Sequence, residues 1–185
     1  MSRGIVKLRL KNQKYPYCNL RQNENRKENE RIKEKIAEIF HIDQSEVTGK
    51  QITKMKLYEE QVSKDIYTGE GLGDIAFEGG RRFLIDDKYC EIDHVLPYSR
   101  SADDLKSNEV LVLAKSNQEK GNRIPYEWMN SNDGSHPNWE QFCLRILSKI
   151  RLSDSKKSKL LEENFAEKRF PLLNVIWWIL NIWPE

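Results

Sequence analysis

Asp93 and His94 stand side by side, and Asn108 and Asn117 follow within the same short stretch of chain. Hydrolysis of a phosphodiester needs three things: deprotonation of the attacking water, neutralisation of the extra charge on phosphate, and stabilisation of the departing 3′ oxygen. A hard divalent cation serves the last two, and an imidazole near its ordinary pKa serves the first. Mg2+ prefers oxygen ligands and keeps several waters, so one or two protein oxygens suffice. The residues present match those needs. Asp93 offers a carboxylate oxygen, Asn117 an amide oxygen, His94 a general base, and Asn108 a brace that hydrogen-bonds backbone around His94. Singly each residue is commonplace; the joint spacing carries the signal.

The elements that must position them read in a definite order. Glu91 to Val95 predicts a short strand, and a loop runs from Pro97 through Asp103 and Asp104. Val110 to Leu113 predicts a buried strand, and Ser116 is placed to cap a helix beginning at Asn117, with Glu119 in its first turn. One constraint follows. Neighbouring residues of a regular strand point to opposite faces, so Asp93 and His94 share a site only if the strand ends or distorts near His94. Around this centre, apolar spacing predicts helices over Glu24–Phe40, Ile52–Gln61, Pro125–Met129, Pro137–Ile150 and Ser153–Phe165. Asp65 to Glu70 reads as a strand entering a turn. The sum is an α+β chain.

Composition excludes little. The 185 residues carry 31 basic and 29 acidic side chains, a balance of +2 that neither demands nor forbids nucleic acid. Cys18, Cys90 and Cys143 form no C-x-x-C pair, which argues against a zinc ribbon and a disulfide scaffold alike. Met1 to Lys14 lacks the apolar centre of a signal peptide, and the apolar run Pro171–Pro184 is short for a bilayer. The expectation is a cytoplasmic protein with no membrane association. Lys149, Arg151, Lys156, Lys157 and Lys159 could meet phosphate, although a solvated helix face is the better expectation.

The residues Glu91-Ile92-Asp93-His94-Val95-Leu96-Pro97-Tyr98-Ser99-Arg100-Ser101, Asp103-Asp104, Asn108-Glu109-Val110-Leu111-Val112-Leu113-Ala114 and Asn117 to Tyr126 resemble the HNH nuclease domain of the type II CRISPR effector, the RNA-guided Cas-nine endonuclease family. Lys54–Gln61 and Tyr67-Thr68-Gly69-Glu70 resemble the family's approach to its active strand. The resemblance implies a ββα-metal (HNH, His-Me finger) core surrounded by helices. It also implies a single Mg2+, with Mn2+ as a substitute, and nicking of the DNA strand paired to guide RNA. On that basis His94 is the general base, Asp93 and Asn117 hold the metal, and Asn108 supports; Glu91 takes a supporting role. The implied organisation is an unassigned segment 1–21, a helical linker 22–51, the nuclease domain 52–165 and an apolar tail 166–185. The RNase H-like halves and the recognition lobe of the family find no match here, so the chain reads as a fragment that meets guide RNA through the rest of an effector. Two alternatives remain open: a free-standing HNH endonuclease of a mobile element, and a non-catalytic nucleic-acid-binding remnant.

Overall fold

The computed structural model describes residues 16–134, 136–149 and 151–165, with side chains from Gln22 onward; the apolar tail 166–185 lies outside the described residues. The chain divides into two compact units at Thr48/Gly49. In the first, helix α1 (Pro16–Phe40) begins earlier than the apolar spacing predicts. Pro16 opens it at a position where the missing N–H costs nothing, and no Gly or Pro interrupts the polar run that follows. Ile32 and Ile36 are fully buried. Asp43 and Glu46 then form a reciprocal capping box over a single 3-10 turn.

The second unit starts with α2 (Gly49–Glu60), which buries Lys54, Met55, Leu57 and Tyr58. Tyr58 stacks on Phe83 of the short helix α3 (Arg82–Ile85), with ring centroids 4.1 Å apart. The predicted strand at Asp65–Glu70 is instead a turn. The Asp65 carboxylate accepts from the backbone N–H of Tyr67 and of Thr68, both at 2.7 Å, which curls the chain away from an extended path. A single isolated bridge, Lys64 to Gly71, flanks the turn. Farther on, a Cβ on Gly80 would sit 2.0 Å from the Asp74 carbonyl, so this loop closes only with glycine there.

Strands β1 (Cys90–His94) and β2 (Glu109–Leu113) pair antiparallel, with Asp93 opposite Val110 and His94 opposite Glu109 as the final pair. β1 therefore ends at His94. The chain then runs through α4 (Tyr98–Ser101) back to β2. β2 passes directly into α5 (Ala114–Lys120), whose N-cap is Leu113. Ser116 is thus a buried residue inside the helix rather than its cap, and Asn117 lies in the helix interior rather than at its start. The reason is the absence of a linker: the Ala114 N–H already donates to the Tyr89 carbonyl at 2.9 Å, so the helix winds at once. Helices α6 (Pro125–Met129), α7 (Trp139–Ser148) and α8 (Asp154–Leu160) complete the unit. The α+β class holds, with a ββα centre inside a helical shell.

A two-stranded ribbon leaves backbone groups unpaired along both outer edges, and burial makes each one costly. Side chains cover them. Gln61, fully buried, accepts from the Leu111 N–H through Oε1 and donates through Nε2 to the Leu111 carbonyl, both at 2.7 Å. Asp65 accepts from the Leu113 N–H at 2.6 Å. On β1, Lys54 donates to the Cys90 carbonyl at 2.8 Å and Lys120 to that of His94 at 3.3 Å. One face of the ribbon, through Val110 and Val112, packs on Tyr67, Trp128, Phe142, Ile146 and Leu160. The basic stretch is largely consumed internally, contrary to a solvated face. Lys156 pairs with Glu60 at 2.6 Å, Lys149 donates to the Gln61 carbonyl and Lys159 pairs with Asp103 at 2.6 Å. Gln61→Leu preserves bulk but strands both Leu111 groups, so it should cost about 2–3 kcal/mol. The urea midpoint should fall at constant slope; an unchanged midpoint would contradict the edge-capping role.

Candidate active site

Glu91 and Asp93 alternate along β1, so both face the side on which α5 packs. Asn117 and Lys120 lie three residues apart on α5, on one helix face. Two cross-links join these rows: Asn117 donates its amide N–H to Glu91 Oε2 at 2.6 Å, and Lys120 Nζ lies 3.2 Å from Asp93 Oδ2. The structure therefore brings Asp93 and Asn117 onto one strand–helix seam. His94 goes elsewhere. Its Nε2 is 3.3 Å from Asp104 Oδ1, and its ring centroid is 6.0 Å from that of Tyr98. Asp93 and His94 remain on opposite faces of a strand that stops at His94.

Asn108 is fully buried at the other end of the connecting loop. Its Oδ1 accepts from the Leu96 N–H, and its Nδ2 donates to the carbonyls of Leu96 and Asp103, each at 2.9 Å. Its own carbonyl accepts from the Val95 N–H at 2.9 Å. These bonds clamp the chain that leaves His94 against the chain that enters β2. Arg100 ties the same loop to α6 by two contacts to Glu127, at 2.6 and 2.9 Å. That bidentate pair holds the Glu127 carboxyl below the usual range.

Asp93 is the electrostatic centre. Burial pushes its carboxyl above the ordinary value, and the Lys120 ammonium and then the Tyr67 hydroxyl oppose that push. Tyr67 donates to Oδ2 at 2.6 Å. Lys120 is almost wholly buried, and burial lowers its pKa against the pull of Asp93. Its ammonium is also held by the carbonyls of His94 and Arg123, at 3.3 and 3.0 Å. Sequence reasoning missed Tyr67, Lys120 and Asp104 as site residues. For Lys120 the signal was its spacing from Asn117 on one helix face; for Tyr67, whose contact with Asp93 spans a long stretch of chain, no local signal exists.

A donor set of carboxylate and amide oxygens fits a hard cation, and the geometry leaves the right atoms. Both contacts to Asp93 land on Oδ2. Asn117 engages Glu91 through its amide nitrogen, which leaves its amide oxygen as a ligand atom. Separately, ligand atoms of His94, Asp104 and Glu109 lie within 4.8 Å of one another on the opposite face. A cleft of about 370 Å³ lined by Thr68, Lys115, Ser116, Gln141 and Arg145 includes none of the four candidate residues. The candidate residues lie instead at the end of β1, where Asp93 is buried and the His94 side chain is about a third exposed.

The HNH endonuclease family matches residues 65–126, the span from the Asp65 turn through α5 to the start of α6. That stretch is similar to an HNH endonuclease domain. The CRISPR-associated endonuclease Cas9 of Campylobacter jejuni is 37% identical to it over 103 residues, 56% of this chain and 9% of that protein. Cas9 of Staphylococcus aureus is 37% identical over 115 residues, 60% of this chain and 10% of that protein. The crystal structure of Streptococcus thermophilus Cas9 in complex with the AGAA PAM matches with a TM-score of 0.63 at 28% identity, over 80% of this chain and 14% of that one. The type II-C Cas9 of Actinomyces naeslundii shares the fold, with a TM-score of 0.58 at 18% identity. The chain spans about a tenth of the length of the curated relatives it matches. Residues 65–126 are thus similar to HNH endonuclease domains, and the similar proteins are Cas9 endonucleases.

Lys120→Met should raise the Asp93 carboxyl pKa further, because it removes the only buried cation that favours the charged form among the described residues. The 13C shift of that carboxyl followed against pH reads this directly; an unmoved titration would contradict the pairing.

Proposed function

We propose that this HNH domain nicks the DNA strand paired to guide RNA, as the target-strand nuclease of an RNA-guided antiviral effector. The remainder of that effector supplies guide RNA and delivers DNA. The reading rests on one observation above the others: Asp93 and Asn117 share the seam between β1 and α5, while His94 closes the strand beside them. In this reading Asp93 and Asn117 hold Mg2+, or Mn2+ in its place. The cation supplies charge neutralisation at the phosphate and at the leaving oxygen. His94 takes the proton of the attacking water. Asp104 beside Nε2 favours the tautomer with its proton there, which leaves Nδ1 as the basic nitrogen. Asn108 fixes the backbone on both sides of the loop, so that the imidazole does not drift from the strand end. A substrate strand laid across that end meets the ligand pair on one side and the imidazole on the other. The compartment suited to this work is the cytoplasm. Among the described residues no helix is long and apolar enough to cross a membrane.

Nicking of labelled guide–target hybrids in Mg2+ tests the assignment. His94→Ala should lower the rate by about 10²–10⁴-fold without loss of fold. Asp93→Ala and Asn117→Ala should each raise the Mg2+ concentration needed for half-maximal nicking. Glu109→Gln should leave that concentration unchanged. A shift caused by Glu109→Gln but not by Asp93→Ala would move the cation to the His94, Asp104 and Glu109 cluster. Full activity in His94→Ala would remove it as the base.

A further inference from the structure

Tyr67 is held from every side. Its backbone N–H donates to Asp65 Oδ1 at 2.7 Å, and its carbonyl accepts from the Arg145 guanidinium. Its ring packs edge-on to Trp128 at 5.6 Å between centroids and tilts against Phe142 at 6.4 Å. The residue has no exposed surface, yet its hydroxyl ends on the candidate metal ligand, 2.6 Å from Asp93 Oδ2. Core packing does not require that oxygen; phenylalanine would fill the same space. Lys120 approaches the same oxygen, and among the described residues neither a hydrogen bond nor an ion pair reaches Oδ1.

We infer that Tyr67 is a positioning residue for the metal site: its hydroxyl ties down Oδ2 of Asp93 so that Oδ1 is the oxygen presented to the cation. This rests on the reading of Asp93 as a ligand. A carboxylate free to turn about its terminal bond offers either oxygen, or both, and an octahedral ion such as Mg2+ tolerates that poorly. One short hydrogen bond from a side chain with no freedom of its own removes the ambiguity. Such partners of metal ligands commonly change affinity by about 10–100-fold when lost. The ammonium of Lys120 cannot substitute, because its position is shared with the carbonyls of His94 and Arg123 and its contact is longer, at 3.2 Å. The tyrosine thus couples the aromatic core to the ligand geometry.

The test is Mn2+ binding to the full 185-residue chain without DNA, followed by electron paramagnetic resonance, so that no step of turnover enters. Tyr67→Phe should weaken Mn2+ about tenfold with little change in melting temperature. Phe142→Leu disturbs the same aromatic cluster without touching the hydroxyl, and should lower the melting temperature while leaving the Mn2+ affinity as it was. Asp93→Asn should abolish binding. Wild-type affinity in Tyr67→Phe beside lost binding in Asp93→Asn overturns the positioning role and leaves Asp93 as the ligand. Equal weakening in Phe142→Leu and Tyr67→Phe also overturns it, reducing Tyr67 to a packing residue. Unaltered binding in Asp93→Asn, or none in the wild type, removes the ligand assignment and the inference with it.

Discussion

A buried two-stranded ribbon must find hydrogen-bond partners for its outer edges, and here it finds them in side chains rather than further strands. Gln61 and Asp65 serve β2, while Lys54 and Lys120 serve β1. Each is fully or almost fully buried, so each backbone group left without its partner would cost about 1–3 kcal/mol. The ribbon is too small to stand alone. Its survival explains why α2, the Asp65 turn and α5 surround it, and why these elements carry charged or amide residues where leucine would pack as well.

The site is built from the same contacts. Lys120 closes the end of β1 by binding the His94 carbonyl, and the same ammonium pairs with Asp93. Asp65 caps β2 through one carboxylate oxygen and shapes the Tyr67 turn through the other, which places the tyrosine hydroxyl on Asp93. Stability and the proposed chemistry therefore share atoms. A buried carboxylate between a lysine and a tyrosine costs desolvation, and the two contacts to its Oδ2 offset part of that cost.

Much of this was legible in the amino-acid sequence, and the failures have physical causes. The order of Asp93-His94, Asn108 and Asn117 on strand, loop, strand and helix is visible because each element is short and its apolar pattern local. Asn117 was expected at a helix start because Ser116 is a good cap, but β2 enters α5 without a linker and the serine falls inside the helix. Asp65–Glu70 has strand-like residue types, yet one carboxylate accepting two backbone N–H groups turns it. Lys149, Lys156 and Lys159 look solvated in sequence, where charge is visible and burial is not. The contact of Tyr67 with Asp93 depends on how the helices pack, which no local pattern encodes.

The likeness to solved Cas9 structures accounts for the elements, and where a cation would bind is the point on which the proposed chemistry turns. Anomalous scattering from crystals of the chain soaked in Mn2+ measures that position directly. The account predicts that Asp93 and Asn117 would hold the ion, with a strong peak beside them on the α5 side of β1. A peak among His94, Asp104 and Glu109 instead, with nothing beside Asp93, would contradict it.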